Sequence, residues 1–406
     1  MSDGSRRACI TGIGLVSSLG EGAEVHWERL SNPLTANPEI DERRFSPYPV
    51  HPLVSVPFAQ QIPRTTDQRQ MERWQRIGTY AAGLALADAG IAGDQELLDR
   101  TDISIAAGNG ERDIAFDQQV LAKSDRGAEF EAGLNQQLMT GLRPTLYLGQ
   151  LSNLLAANIS IVHGATGASR TFKGEEMAGV SALENAMARI ESGEADLVLV
   201  GGAFNAERED ILLACELEGS LYRGAPYRSV WERSEHGGGA VLGSIGAFLL
   251  VESACHARSR GRNPYAQVGT VRSDQTRRRS GEATAAMLRI FEAFAIQLGS
   301  ALPVLSGASG IEPVTSEERA FIAQLRTSGI RPVVRAFGNV LGHTREAHFL
   351  TGVALAAIAI ARGAFYPPFS AASPEDRDAV QQPEHILVTT LGSWRGEGAG
   401  IVTRAE

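Results

Sequence analysis

The segment 171–202 constrains the fold more than any other part of the sequence, because it predicts a sharp glycine turn into a helix. Gly174 precedes a helical pattern of apolar residues, and Gly193 is placed to end that helix. The pattern comprises Met177, Val180, Leu183, Ala186, Met187 and Ile190. Residues 195–202 then form an apolar run ending in two glycines, which is typical of a buried strand. An α/β fold is therefore expected, with one side chain presented beside the free N–H groups of a helix N-terminus.

The side chains available at this turn are unusual for such a position. In an acyl-transfer enzyme the presented side chain is a nucleophile, and the neighbouring N–H groups form an oxyanion hole. Here the candidates are Lys173, Glu175 and Glu176, and none of them is Cys or Ser. An acyl anhydride formed on a carboxylate would be a poor stable carrier. The turn therefore has the geometry of a nucleophile site without the ordinary nucleophile.

Composition limits the class of protein. The chain has 406 residues, 43% hydrophobic and 21% charged, which suits one large α/β domain or two fused halves. The net charge of −9 argues against nucleic acid as the main partner. No run approaches the roughly 20 apolar residues of a membrane span, and no apolar signal core is present. Three widely spaced cysteines form neither a zinc pattern nor a disulfide framework. We expect a cytoplasmic protein without metal or cofactor.

The predicted elements suggest an internal duplication. In the first half we predict a strand from residue 8, helices over 24–30 and 67–90, a strand over 103–108, an apolar helix within 144–161 and a helix over 208–218. Residues 31–63 predict a long surface excursion. In the second half we predict strands over 265–270 and 302–306, helices over 283–298, 316–328 and 349–361, and a strand pair around 391–400.

Five stretches together resemble the β-ketoacyl-acyl-carrier-protein synthases, the condensing enzymes of fatty-acid and polyketide synthesis. They are residues 10–20, 67–74, 153–157, 193–202 and 252–261. The resemblance implies a thiolase-like α/β fold, with two pseudo-symmetric halves in five αβαβα layers, assembled as a dimer. The expected halves are residues 1–260 and 261–406, with partner-facing excursions at about 31–63 and 111–143.

The resemblance also implies a site made of one Cys, two His and one Lys. Counting without gaps from Asn153 and from Gly193 puts Glu176 at the Cys position from both sides. The first His position falls on Ala308, the Lys position on Gly338, and the second His is matched by His343. The glycine-rich terminal loop of the family is altered at 391–396. One of the four chemical groups remains.

Glu176 needs a partner if it is buried. A helix N-terminus favours an anion by roughly 0.3–1 kcal/mol, whereas an unpaired buried carboxylate costs several kcal/mol. We predict a contact between Glu176 and His343, with Lys173 as the other candidate partner. The alternative is that Glu176 merely caps its helix. His163, His236, His256 and His348 are interpreted as structural or surface residues, and Cys215 as a core residue.

Three functions fit these residues. The first is a non-condensing subunit resembling a chain-length factor, paired with an active ketosynthase or with itself, although Gln usually stands at the nucleophile position of such subunits. The second is a malonyl-carrier-protein decarboxylase in which His343 stabilises the enolate. The third is a condensing enzyme with a rearranged site. All three act on chains held by an acyl carrier protein.

Two groups of arginines are candidates for docking that acidic carrier protein. The groups are Arg69, Arg73 and Arg76, and Arg277, Arg278 and Arg279. Runs of charge are more often solvated faces, so both interpretations stay open at this point.

Overall fold

The strands come from both halves of the chain. The computed structural model describes residues 6–32, 38–122, 130–143, 145–224, 226–294 and 301–405. In this part of the chain the strands are β1 (Ala8–Ser17), β2 (Gly20–Glu21), β3 (Val50–His51), β4 (Thr101–Ala106), β5 (Ser169–Phe172), β6 (Leu197–Phe204), β7 (Leu242–Gly243), β8 (Ile245–Ser253), β9 (Ala266–Asp274), β10 (Leu302–Ser306), β11 (Pro332–Ala336), β12 (His385–Leu391) and β13 (Glu397–Thr403).

Helices alternate with these strands. They are α1 (Gly22–Ser31), α2 (Thr65–Gln70), α3 (Arg73–Asp88), α4 (Gln95–Asp99), α5 (Ile114–Ala122), α6 (Phe130–Gly141), α7 (Leu146–Gly149), α8 (Leu154–His163), α9 (Glu176–Ser192), α10 (Glu209–Leu217), α11 (Ala254–Ser259), α12 (Glu282–Glu292), α13 (Val314–Thr327), α14 (Gly338–Leu341) and α15 (His348–Arg362). Short 3₁₀ turns occupy Phe58–Gln60, Arg233–His236 and Arg345–Ala347. None of the described helices is both long and apolar enough to cross a membrane.

The sheet repeats one strand order in both halves. The first half runs β5-β4-β6-β8-β1 and the second runs β11-β10-β12-β13-β9. In each half the first three strands named are parallel to one another. The fourth strand is antiparallel to the third, and the fifth is antiparallel to the fourth. A short antiparallel pairing of β1 with β9 joins the halves. The shared order confirms the predicted duplication. The division at residues 260/261 lies between α11 and β9 and stays a prediction.

Helices α9 and α15 form the central layer. Helix α9 packs on β4 and β6 of the first half and on β9 and β13 of the second, while α15 contacts β12 and β8. Because α15 touches both halves, its residues from His348 to Ile360 are all buried. Helices α3 and α8 cover the outer face of the first sheet, and α12 and α13 pack together beside β13 and β11. Five αβαβα layers result, as predicted.

Two predicted elements need correction. The helix expected over 67–90 is broken into α2 and α3. Glu72 and Gln75 form a capping box at which α3 begins, so the N-cap of α3 is Glu72 and not Asp67, the residue that the sequence suggests for this role. The first excursion is not simply a surface loop, since Phe45, Val50 and Ile62 are buried. Residues 33–37 and 123–129 of the two excursions, Pro144, and residues 295–298 of the predicted helix lie outside the described residues.

Strands β5 and β11 were not assigned from the sequence. Strand β5 supplies the strand before the glycine turn, and the apolar run 157–161 that precedes it belongs to α8. Strand β11 contains Arg335, which disguises a fully buried strand. The Arg335 guanidinium donates hydrogen bonds to the carbonyls of Tyr366 and Asp378 at 2.8 Å. A charged residue satisfied in this way is invisible to hydrophobic patterning.

Close packing of α3 on β1 depends on Gly14. A Cβ at this position would lie 1.9 Å from the Ala81 carbonyl oxygen. We therefore expect Gly14→Ala to lower the free energy of unfolding by about 3 kcal/mol or more, because helix backbone must move. The matched control is Gly133→Ala in α6, where no atom lies within 4 Å of the added Cβ. This change should be neutral or stabilise by about 0.5–1 kcal/mol. Urea unfolding measures both, and equal effects would contradict the proposed packing.

Candidate functional site

The turn before α9 is strained and is held by an ion pair. Glu175, the residue before the helix, has φ 55° and ψ −128°, and Gly174 has φ 140°. A non-glycine residue in such a conformation costs about 1–3 kcal/mol. Arg345, with φ 43°, donates from Nη2 to Glu175 Oε1 at 2.6 Å. The two strained residues therefore secure each other across the two halves of the chain.

Glu176 is the side chain presented at this turn. It is the first residue of α9 and is only 1% exposed. Its Oε1 accepts hydrogen bonds from His343 Nε2 at 2.9 Å and from the Ser393 N–H at 3.2 Å. The predicted contact between Glu176 and His343 is confirmed. Lys173, the other candidate, instead donates from Nζ to Asn109 Oδ1 at 3.0 Å.

The surroundings of Glu176 favour its charged form. Burial alone raises the pKa of this carboxyl, but the hydrogen bond and charge of His343 and the backbone N–H of Glu176 outweigh burial and bring the pKa to about 2. The dipole of α9 acts in the same direction. Because the carboxylate can only accept, His343 Nε2 carries the proton of their hydrogen bond. Among the described residues, neither Glu176 Oε2 nor His343 Nδ1 has a hydrogen-bond partner.

A second imidazole, that of His348, lies against the site, although the sequence predicts only a structural or surface role for this residue. The His348 ring centroid is 4.6 Å from that of His343. His348 Nε2 donates to the Gly307 carbonyl at 3.0 Å, and Nδ1 accepts from Thr344 Oγ1 at 3.1 Å. Burial and then the charge of His343 hold the pKa of His348 well below its ordinary value. Both its nitrogens are occupied, so His348 is a neutral supporting group. The sequence feature that could have indicated His348 is its position at the start of an apolar helix, five residues after His343.

The structure also brings together the two positions where helper side chains are expected. Ala308 is buried just after β10, and Gly338 begins α14. A Cβ on Gly338 would lie 3.0 Å from the Ala308 carbonyl oxygen and 3.4 Å from Val230 Cγ2. Neither residue offers a polar side chain, and the packing leaves little room for one at 338.

The turn before α9, residues 174–176, is called the elbow below. The cavity beside it is small and polar. It has a volume of about 70 Å³ and is lined by Trp74, Gly108, Phe204, Arg208, Arg345 and Glu346, among others. Burial raises the pKa of the Glu346 carboxyl, which the charge of Arg345 partly offsets. Ligand pockets commonly have 300–1,000 Å³ and mostly apolar walls. This cavity therefore has room for a few water molecules, and not for an acyl chain.

Two cysteines are excluded as replacement nucleophiles. Cys215 is 2% exposed, as the core interpretation predicted, and its Sγ accepts from Arg345 Nη1 at 3.3 Å. Burial raises the pKa of the Cys215 thiol. Burial likewise raises the pKa of Cys9 to about 11. Since the thiolate is the reactive form, neither residue supplies it at neutral pH.

The arginines divide into internal and exposed members. Arg73 pairs with Glu207 at 2.9 Å, and Arg76 lies over the Phe58 ring at 5.6 Å. Arg278 donates to the carbonyls of Gly392 and Gly396. The exposed members are Arg69, Arg277 and Arg279. Docking of a carrier protein stays a prediction, and only these three are free of such internal contacts in the described structure.

The family follows from a comparison of sequences. The family model named beta-ketoacyl synthase, N-terminal domain, matches residues 5–257, which is more than half of the chain. The chain belongs to the β-ketoacyl synthase family. A putative β-ketoacyl synthase 1 of oxytetracycline polyketide formation in Streptomyces rimosus is 28% identical over 272 residues. The 3-oxoacyl-[acyl-carrier-protein] synthase 2 of Rhizobium meliloti (strain 1021) is 27% identical over 277 residues.

These two matches cover 65% of this chain and 61% and 63% of the relatives. They span less than two thirds of the relatives' own length. Solved structures match along nearly the whole chain. A β-ketoacyl synthase from Burkholderia phymatum STM815 covers 98% of this chain and 100% of its own, with a TM-score of 0.82 and 20% identity. The ishigamide ketosynthase/chain length factor covers 99% and 100%, with a TM-score of 0.79 and 20% identity. The predicted thiolase-like fold is confirmed.

The low pKa of Glu176 gives a test by pH. Folding lowers this pKa from its ordinary 4.5 to about 2, so its contribution to stability is complete above about 4.5 and is lost as pH falls toward 2. We expect the wild-type protein to lose stability relative to Glu176→Gln over this interval, measured by urea unfolding at each pH.

Glu318→Gln provides a control of opposite sign. Burial raises the pKa of Glu318, which accepts from Ser306 Oγ and Thr389 Oγ1 at 2.6 Å. Its contribution is therefore present at low pH and is lost as pH rises above about 4.5. Parallel profiles for wild type and Glu176→Gln would show that Glu176 is not stabilised as an anion.

Proposed function

We propose that the chain is a non-condensing subunit, resembling a chain-length factor, that works with an active ketosynthase on carrier-bound acyl chains. The observation that carries this proposal is the hydrogen bonding of Glu176 Oε1 by His343 Nε2 and the Ser393 N–H. Donors of this kind at a helix N-terminus stabilise the oxyanion of acyl transfer. Here a side chain of the protein occupies them.

Condensation on this chain lacks several requirements at once. No thiol stands at the turn, and Ala308 and Gly338 contribute no polar group. A carboxylate that a hydrogen bond from a buried imidazole stabilises as an anion is weakly basic, and it is therefore a weak nucleophile. The acyl group is therefore expected to reside on the partner.

An apolar face supports the partner interpretation. Within the predicted partner-facing region, Leu121 and Met139 are 70% and 79% exposed, and Leu217 on α10 is 81% exposed. A cleft of about 680 Å³ lies between α5, the end of α6 and α10. Exposed apolar patches of this kind commonly mark interaction surfaces. A partner covering this face would form one wall of an acyl path with the described residues 113–122 and 130–139.

One observation favours the decarboxylase as a second candidate. His343 Nδ1 is buried and has no partner among the described residues, so this nitrogen can hydrogen-bond a ligand. In that reaction the bond between the malonyl α-carbon and its carboxylate breaks, CO2 leaves, and the electron pair passes to the thioester enolate. A proton then completes the acetyl product. His343 would stabilise the enolate oxygen by donating from Nδ1 while Nε2 donates to Glu176, which requires both ring nitrogens to be protonated.

Activity of the separate and combined subunits tests the proposal. The chain is purified alone and together with the ketosynthase that copurifies with it from the native cell. Malonyl-carrier protein and an acyl-carrier protein are then supplied. We expect no condensation and no CO2 release from the chain alone, and condensation from the pair. A product whose length changes with substitutions at Phe116 or Leu138 would support the wall assignment.

Other outcomes separate the alternatives. Condensation by the chain alone would refute the non-condensing role and indicate a rearranged site. CO2 release by the chain alone that disappears in His343→Ala would establish the decarboxylase. CO2 release that persists in His343→Ala would remove His343 from that chemistry.

Carrier docking is tested on the exposed arginines. Arg278 ties residues 277–279 to the loop 392–396, whose Ser393 N–H reaches Glu176. We expect Arg277→Glu with Arg279→Glu to weaken carrier-protein binding about tenfold at low salt, and less at high salt. Arg258→Glu with Arg404→Glu is the charge-matched control on exposed positions. Equal binding by both double variants in calorimetry would dispose of this docking site.

A further inference from the structure

The groups packed around the buried Glu176 carboxylate have the features of a binding site for an anion. His343, only 3% exposed, directs Nε2 at the Glu176 carboxylate, and the Ser393 N–H donates to the same oxygen. The seventeen-residue helix α9 adds the positive end of its dipole. His343 Nδ1 and Glu176 Oε2 have no hydrogen-bond partners in the described residues.

The segments around Glu176 are held in place by bonds that do not involve the Glu176 side chain. The Glu175–Arg345 ion pair holds the turn at 2.6 Å. The loop over Glu176 is closed by the hydrogen bond from the Gly392 N–H to the Gly396 carbonyl at 2.9 Å. The Arg278 guanidinium donates hydrogen bonds to the carbonyls of Gly392 and Gly396. The His343 backbone is fixed by its N–H to the Val241 carbonyl at 2.7 Å. A shortened side chain at 176 would therefore leave a preformed space.

We propose that these groups form a carboxylate-binding site and that Glu176 is its resident ligand. The inference deepens the proposed function and rests on it for its meaning: the elbow excludes carrier-bound substrates because a tethered carboxylate already occupies it. The class of ligand is a small planar carboxylate. Chloride would leave empty much of the space that Cγ and the second carboxylate oxygen fill, so we expect it to bind more weakly than a carboxylate.

Side-chain truncation with chemical complementation tests this site. Glu176→Ala removes Cγ and the carboxylate, which together correspond to acetate. Glu176→Gly also removes Cβ, and the missing group corresponds to propionate. We expect acetate to raise the Tm of Glu176→Ala saturably. We expect propionate to bind Glu176→Gly about fourfold more tightly than acetate does, since one more methylene is buried. Calorimetry measures both affinities.

The controls use the filled site. The wild-type protein and Glu176→Gln, in which an isosteric side chain fills the space, should show no saturable response to acetate. Chloride at the same ionic strength should leave all variants unchanged. Absence of saturable acetate binding to a folded Glu176→Ala, or an equal response in Glu176→Gln, would overturn the proposal.

A second measurement applies even if the truncated variants do not fold. In the wild-type protein, the Nε2 proton of His343 donates to a charged acceptor, and its NMR signal should lie downfield of the same signal in Glu176→Gln. Identical signals would overturn the assignment of a bound carboxylate. All these measurements use the chain alone, without partner or malonyl substrate. Failure here is thus distinguishable from failure of the proposed function.

Discussion

The hydrogen bond from His343 to the Glu176 carboxylate is the interaction on which the centre of the molecule depends. Glu176 begins a helix of the first half, and His343 follows a short helix of the second, so one contact of 2.9 Å joins the two halves at their buried junction. Removing one member of a buried pair typically costs 3–5 kcal/mol, because the other charge is left without compensation. The pair therefore links the state of the site to the stability of the whole fold.

The duplicated fold explains why a negative charge is favoured at this point. Helix α9 and helix α15 occupy corresponding places in the two halves, and they begin at Glu176 and His348. Both of these first residues contact His343. Helix N-termini favour an anion and disfavour a cation. Accordingly Glu176 is ionised, and His348, buried and facing the charge of His343, is neutral. Two helices of opposite halves thus create a site suited to one negative charge.

Most of the fold was predictable from the sequence because it rests on apolar periodicity and glycine turns, which are local signals. Helix α9, its end at Gly193 and the buried strand β6 follow from such patterns. The contact of Glu176 with His343 was predictable from the family resemblance and from the cost of an unpaired buried charge. Long-range satisfaction of polar groups was not predictable. Strand β11 is hidden by Arg335, whose donors reach carbonyls more than thirty residues away. The internal roles of Arg73 and Arg278 depend in the same way on distant acceptors.

The retained geometry and the missing chemistry at the elbow have separate physical causes. The strained backbone at Glu175 is maintained by Arg345 from the other half, and a nucleophile is not needed to hold it. The N–H and imidazole donors are consequently still in place, and they must bind something, because buried donors left unpaired are costly. A tethered carboxylate meets this need better than a free substrate, since the fold has already fixed its position and its effective concentration is high. An acyl group brought by a carrier protein would have to displace this carboxylate, which would then be buried without its hydrogen-bond donors. Under the proposed function, the elbow would stay occupied in the presence of substrate, and bond formation would take place on the partner subunit.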